Sequence, residues 1–375
     1  MISSDFPPIS GGQSRYLYDL WSCLPGREVV VLAPKMPGAE EVDDEMSCEV
    51  VRIRLPLASG GLSKIVKPFV LLWAVLRLCR RFPVIGIHCG QVLSSGFAAY
   101  VCGILTGLPY FPYVHGADLM ESRDRFLRGR LFRRILRAAK KVVANSEFTA
   151  GIVEQSGIAT ERIQVLNPSI DLSRFSSLGD REETRRRYGW EGRRVLLTIA
   201  RLAERKGQDT VIRALPEVMA AVPDVCYAVG GTGPYRGKLE DLAEAQALTD
   251  RVEFVGFVPE AELAAMYAAA DVFVMVSREL RQSGNVEGFG IVFLEANAAG
   301  TAVLAGRSGG IEDAVVDGCN GLLVDPEDVG AVAAALMRLL EDGDLRARLA
   351  AQGMERVKRE FDRELRARTL WETCR

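Results

Sequence analysis

Along the second half of the chain, short runs of Val, Ile and Leu alternate with stretches in which apolar residues recur every three to four positions. Strands are predicted at 195–200, 225–231, 252–256, 271–277, 301–306 and 321–325. Helices are predicted at about 208–222, 235–248, 260–270 and 290–299. Near-continuous apolar strands separated by amphipathic helices build a parallel sheet covered on both faces. The first half repeats the alternation less regularly, with strands at 28–33, 84–88, 110–116, 141–146 and 163–167 and helices at about 13–23, 64–81, 91–106, 124–139 and 147–156. The fold class is therefore α/β, in two domains. Their boundary is expected in the polar, Gly-flanked stretch 170–192, which gives domains at 1–175 and 176–355. A helical segment from about 344 ends in a helix at 356–375 expected to pack back on the N-terminal domain. Only Met-Ile-Ser-Ser precedes the turn that leads to Gly11-Gly12, where such a domain needs an apolar first strand. That strand is expected to be truncated.

Composition narrows the class. The 375 residues, 48% hydrophobic and 26% charged, are enough for two globular domains and argue against long disorder. The eight cysteines form no C-x-x-C pair and are read as reduced thiols of a cytoplasmic protein. With two histidines, His88 and His115, a His-rich metal site is excluded, and no metal or cofactor is expected. No apolar signal segment opens the chain, and the longest apolar run, Phe69 to Leu76, is far short of the ~20 residues a bilayer span needs. The net charge of −2 hides an asymmetry: residues 1–180 carry 21 basic against 17 acidic side chains. Much of that excess lies in residues 124–141, where eight are Lys or Arg, while Phe126, Leu127, Leu131, Phe132, Ile135 and Leu136 share one helical face. One reading docks this helix on an anionic membrane, at the inner face of the plasma membrane. The other makes the apolar face domain core and the arginines solvated. The first is the expectation; no nucleic-acid partner is expected.

The chemistry-bearing residues cluster in loops. Glu287-Gly-Phe289-Gly290-Ile291-Val-Phe-Leu-Glu295 is a Gly-rich loop entering a helix, with glutamates eight residues apart. The free N–H groups and dipole of a helix N-terminus suit sugar oxygens and phosphate, and two carboxylates could grip different parts of one ligand. Arg201-Leu-Ala-Glu-Arg-Lys206-Gly follows the strand 195–200, at the sheet edge where open α/β sheets bind ligands, and its cations suit a diphosphate. Gly11-Gly12 enters a helix and offers backbone N–H groups. His115, at the end of the strand 110–116, suits a hydrogen bond to a sugar hydroxyl. Each has a bland alternative as an ordinary turn or charged loop. A dinucleotide fingerprint at Gly231-Thr-Gly233-Pro-Tyr-Arg236-Gly fails at Arg236, where glycine is required, which weakens a rival reading as a nucleotide-dependent oxidoreductase.

Together these segments, with ANSEFTA (144–150), NPSIDLSRF (167–175), VGGTGP (229–234) and VEFVGFVP (252–259), resemble glycosyltransferase family 4 over nearly the whole chain. These are the group 1 retaining transferases, and the phosphatidylinositol mannosyltransferase-like branch is the most similar. The resemblance implies a GT-B fold, two Rossmann-like domains facing across a cleft, and metal-independent transfer of a hexose from a nucleotide diphosphate sugar to a glycan or lipid-linked acceptor. GDP-mannose is favoured slightly over UDP-hexose or UDP-N-acetylhexosamine, and a non-catalytic sugar-nucleotide binder stays open. By position, Arg201, Lys206, Gly11 and Gly12 would hold the diphosphate and Glu295 the ribose. Glu287 and the N–H groups of Phe289, Gly290 and Ile291 would hold the sugar, with His115 beside it. Backbone at Phe257 and Val258 would meet the base. The chain departs from the family at Asn167-Pro-Ser-Ile-Asp171, where the usual turn is Asn-Gly followed by Val or Ile and Asp.

Overall fold

The apolar runs become strands, and the alternation between them becomes two parallel sheets with helices on their faces. The computed structural model describes residues 1–9, 11–56, 61–116, 126–280 and 285–373. It divides into one unit of residues 1–169 with 363–375, and a second of residues 170–362.

In the first unit the strands are β1 (Val30–Pro34), β2 (Glu49–Ile53), β3 (Ile87–Cys89), β4 (Tyr110–Val114), β5 (Val142–Ala144) and β6 (Ile163–Val165). They pair in parallel as β1-β2 and as β3-β4-β5-β6. The expected first strand is reduced to Ile2, which bridges Leu32 of β1 on one side and Cys89 of β3 on the other. β2 was not legible in the sequence: Glu49 and Arg52 interrupt its apolar run, and it is mostly half-buried at the sheet's end. Burial pushes the Cys89 thiol up, and the seven described cysteines are all unpaired.

The basic segment needs correction. Helix Phe126–Ala138 turns Phe132, Ile135 and Leu136 into the core of this unit and half-buries Leu131, so these side chains are not a surface for a membrane. The side chains of Phe126 and Leu127 lie outside the described residues.

The second unit holds one six-stranded parallel sheet. Its strands are β7 (Arg194–Ile199), β8 (Val225–Gly230), β9 (Val252–Gly256), β10 (Val272–Met275), β11 (Ala302–Gly306) and β12 (Leu322–Val324). The order is β12-β11-β10-β7-β8-β9. Successive residues of β7 alternate between two cores: Val195, Leu197 and Ile199 face one, Leu196 the other. Truncating Leu196 or Leu197 to Ala would cost about 2–5 kcal/mol.

The stretch read as a linker is part of this unit. Leu172–Phe175 is a single turn, Arg181–Arg187 is a helix capped by Asp180, and Phe175 and Trp190 are buried in the core. Helix Val329–Glu341 was also missed, although Val332, Ala333, Leu336, Leu339 and Leu340 bury one face at helical spacing and Asp328 caps its start. The C-terminal segment is two helices. Gly343–Glu360 belongs to the second unit, and Arg363–Thr373 packs on Gly12–Trp21 in the first.

Candidate active site

The strand order of the second unit reverses between β7 and β10. The chain leaves β7 toward β8 on one side and leaves β10 toward β11 on the other, which opens a ligand-binding crevice beyond the carboxyl ends of these two strands. β7 runs into Arg201–Gly207, and β10 into the segment that returns at Asn285 to Glu287.

The loop after β7 is fixed from both sides. Glu204–Lys206 forms a single tight turn, closed by Gly207 at φ +74°, where a Cβ would stand 2.0 Å from the Val276 carbonyl oxygen. No L residue with a side chain fits that approach. The Arg278 N–H donates to the Arg205 carbonyl at 2.8 Å, and the Arg278 guanidinium is tied to Asp209 at 3.0 Å. Two cations of the turn then meet one carboxylate: Lys206 Nζ and Arg205 Nη1 each lie 2.5 Å from Glu287 Oε2. Burial alone would raise the Glu287 carboxyl, but the charges of Lys206 and Arg205 outweigh it and bring it down to about 2. Burial lowers Lys206 from its ordinary value, and the Glu287 charge opposes that.

Behind Glu287, Phe289 is buried and Gly290 starts helix Ile291–Ala298 with no side-chain cap, which leaves its first N–H groups to a ligand. Glu295 lies one turn in and is buried. Tyr267 donates to its Oε2 at 2.9 Å, and Arg174 stands 3.6 Å from Oε1 while pairing with Glu260 at 2.6 Å. Burial and then the Glu295 charge hold the Tyr267 hydroxyl protonated, so it stays a donor. Arg201 is exposed, and its guanidinium pairs with no described residue. Phe257 is 72% exposed beyond β9, whereas Val258 is buried.

The structure thus brings Lys206 and Glu287 into contact and sets Glu295 on the helix that follows. Gly11, Gly12 and His115 belong to the first unit. There Gly11 caps helix Gly12–Trp21 without a side-chain bond. His115 Nε2 lies 2.8 Å from the Gly90 carbonyl, and its ring meets the edge of Tyr16, which that same helix carries. Ala117 and Asp118, next in that turn, lie outside the described residues. His88 is stacked on Phe111 and serves the core.

Arg205, Tyr267 and Arg174 were not foreseen. Arg205 stood inside the motif, beside Lys206. Tyr267 carries no local signal, because its partner is 28 residues away. Gly231 and Gly233 are explained by packing: a Cβ at either would meet the Ala200 or Leu202 carbonyl oxygen at 1.9 or 2.2 Å. They seat the loop after β8 against the loop after β7. Among the described residues no three His, Cys, Asp or Glu side chains converge as metal ligands.

The model of the glycosyl transferases group 1 matches residues 180–356, and that of Glycosyltransferase Family 4 matches residues 10–174. A GDP-mannose-dependent alpha-(1-6)-phosphatidylinositol monomannoside mannosyltransferase of Mycolicibacterium smegmatis is 35% identical, over 94% of this chain and 91% of its own. The chain belongs to this family of glycosyltransferases. A Corynebacterium glutamicum relative, a mannosyltransferase acting on the monoacylated phosphatidylinositol monomannoside, is 29% identical over 99% of this chain and 96% of its own. Among solved structures, HepE of Anabaena in complex with UDP and glucose superposes with a TM-score of 0.82 at 21% identity, over 100% of this chain and 98% of its own. Sucrose-phosphate synthase of Thermosynechococcus elongatus gives 0.82 at 24%, over 99% and 96%. The fold of this glycosyltransferase is accordingly GT-B.

Two surface features of its first unit bear on partners. Ile65, Phe69 and Trp73 are each more than half exposed and stand at i, i+4 and i+8 on helix Gly61–Arg81, with Arg77 over the Trp73 ring. Arg130, Arg133, Arg134 and Arg137 line a depression of about 620 Å³ with Tyr100. Helix Ser95–Thr106 packs against both helices: Phe97 meets Phe69, and Arg134 donates to the Tyr100 hydroxyl at 2.8 Å. No described helix is long and apolar enough to cross a membrane.

Proposed function

We propose that this glycosyltransferase moves mannose from GDP-mannose, with retention and without a metal ion, onto a phosphoinositide-type glycolipid. The observation that carries the reading is the Lys206–Glu287–Arg205 cluster at the β7/β10 switch point, beside an uncapped helix N-terminus. Cations there suit a diphosphate, and a carboxylate held ionised suits sugar hydroxyls. GDP and a phosphatidylinositol acceptor are favoured because the mycobacterial and corynebacterial relatives carry both in their names.

In this reading Arg201 and Lys206 take the diphosphate, assisted by backbone N–H at Gly11 and Gly12. Glu295 takes the ribose, and the backbone at Phe257 and Val258 meets the base. Glu287 and the N–H groups of Phe289, Gly290 and Ile291 take the mannose hydroxyls, and His115 serves the transferred sugar. The bond from C1 to the phosphate oxygen breaks, and the acceptor oxygen bonds C1 on the same face. The acceptor proton passes to the departing phosphate. Catalysis is then positioning and stabilisation of the leaving diphosphate, with cationic side chains in place of a metal.

The lipid acceptor calls for a membrane-facing surface. The exposed Ile65, Phe69 and Trp73 supply apolar and interfacial aromatic area, and Arg77, Arg80, Arg81 and the Arg130–Arg137 row supply positive charge for an anionic leaflet.

The test is a donor screen of GDP-mannose, UDP-glucose and UDP-N-acetylglucosamine against mannosylated phosphatidylinositol in mixed vesicles, with and without EDTA. NMR of the product then reads the anomeric configuration. The expected product is an α-mannoside formed equally with EDTA. A β-linked product, dependence on added divalent ion, or turnover with a UDP-sugar alone overturns the corresponding part.

A further inference from the structure

We infer that Arg205 is a positioning residue of the transfer reaction, keeping hold of Glu287 when Lys206 is drawn to the donor's diphosphate. This rests on the reading of the site given above and gives Arg205, counted there only among the cations of the cluster, a task of its own.

Three observations carry it. First, neighbouring side chains of one turn place two cations on a single oxygen, Glu287 Oε2, at 2.5 Å each. Neutralising one carboxylate takes one cation, and bonding to Oε2 alone leaves Oε1 to accept from a hydroxyl. Second, the two cations differ in kind. Lysine is a point charge on a flexible stem that can re-aim toward a phosphate, whereas the planar guanidinium is pre-organised for a carboxylate. Third, the Arg205 backbone is fixed by the N–H of Arg278, and Glu287 is fixed at its carbonyl by the Gly310 N–H at 2.9 Å. The Arg205–Glu287 pair therefore spans two anchored loops, and Lys206 is the member free to change partner.

The consequence concerns the donor-bound state. A carboxylate that lost Lys206 to the diphosphate would face phosphate charge with no counterion, and would protonate or turn away. With Arg205 in place it stays ionised and aimed. The charged groups that act on Glu287 are Lys206 and Arg205, so the ionisation of Glu287 in the loaded site depends on Arg205.

The experiment compares wild type with Arg205→Ala, Arg205→Gln and Arg205→Lys across pH 4–9, using GDP-mannose transfer as readout. The expected result for Ala and Gln is a kcat lower by roughly tenfold to a hundredfold. The donor KM should change by less than about threefold, and an acid limb of the kcat profile, below this range in wild type, should rise into it. Arg205→Lys should restore the limb and most of kcat. An unchanged kcat with an unmoved limb overturns the inference. So does a raised KM at constant kcat, which would make Arg205 a diphosphate ligand. An activity-independent arm keeps the two readings separable: acid unfolding of the ligand-free protein should begin at higher pH in Arg205→Ala than in wild type. If wild type transfers no sugar yet this arm shifts, the proposed function fails while the Arg205–Glu287 coupling stands. If neither Ala nor Gln shifts it, the coupling fails.

Discussion

Replacing Glu287 by Gln tests the charge arrangement at its centre. The amide has nearly the same volume, so packing against Gly290 and Gly309 is kept while the charge is lost. Lys206 and Arg205 then face each other, their side chains only 11% and 21% exposed, without a counterion. Removing one partner of a buried pair costs about 3–5 kcal/mol, and the partial exposure places this case at the low end. The carboxyl's fall from 4.5 to about 2 gives a similar figure, roughly 3 kcal/mol at about 1.36 kcal/mol per unit. For a unit of this size that is a fall in Tm of roughly 6–12 °C. The pH dependence has a definite sign. Because the folded value lies below the unfolded one, the stabilisation is complete above the ordinary carboxylate range and is lost as pH falls through about 2. The variant should lack that acid-side loss. GDP supplies the missing negative charge, so it should bind the variant at least as tightly as wild type and narrow the Tm gap, while transfer falls. Calorimetry with and without GDP reads all of this. A Tm within about 2 °C of wild type would refute the buried-pair argument. A gap that GDP leaves unchanged would show that Lys206 does not meet the diphosphate.

Three further outcomes are expected. Arg201→Ala and Lys206→Ala should each lower kcat on the order of 10²–10³, as for loss of one oxyanion donor, in steady-state assays with GDP-mannose. Glu295→Gln should weaken binding of bare GDP, and Tyr267→Phe should do so less, by roughly the one hydrogen bond of about 1 kcal/mol it removes, both read by titration calorimetry; equal affinity in all three proteins would exclude Glu295 from the nucleotide site. Replacing Arg130, Arg133, Arg134 and Arg137 by Gln should reduce flotation with anionic vesicles and its salt sensitivity, and Trp73→Ala should reduce it at all salt concentrations; wild type that ignores anionic vesicles at low salt would remove the membrane from the account.

The parallel strands were legible because they are buried on both faces and therefore read as unbroken apolar runs. β7 is displaced by one residue from expectation, and β8 ends one residue early. What failed was polar or half-exposed structure. β2 carries Glu49 and Arg52, and the segment around Arg181–Arg187 is so charged that it read as a linker, although Phe175 and Trp190 anchor it in the core. In both cases tertiary packing decides what composition obscures. In the basic segment the periodicity was read correctly, but periodicity does not say whether an apolar face meets core or lipid, and Phe132, Ile135 and Leu136 meet core. The apolar stripe that does reach the surface, Ile65, Phe69 and Trp73, is on a helix whose general apolarity hid it.

The site shows the same division. Glu287, Lys206 and Glu295 stand in local motifs, so they could be found one segment at a time. That Lys206 and Glu287 touch is a property of strand order, because only the reversal between β7 and β10 puts the two loops side by side. A carboxylate at a site proposed to take a diphosphate is at first sight a handicap, since it repels the ligand. The surrounding charges resolve this. Arg201, Arg205 and Lys206 against Glu287 leave a surplus of positive charge suited to a diphosphate, and the carboxylate keeps the cations from being buried unpaired before the donor arrives. On the proposed reading donor binding exchanges partners within an already desolvated cluster, which is cheaper than desolvating free cations at that moment. If the exchange takes place as proposed, it needs a carboxylate that stays ionised after Lys206 has left, which is the task assigned above to the second cation on Glu287. A chain with Lys206 and Glu287 intact but Arg205 neutral should therefore still bind GDP and transfer mannose poorly.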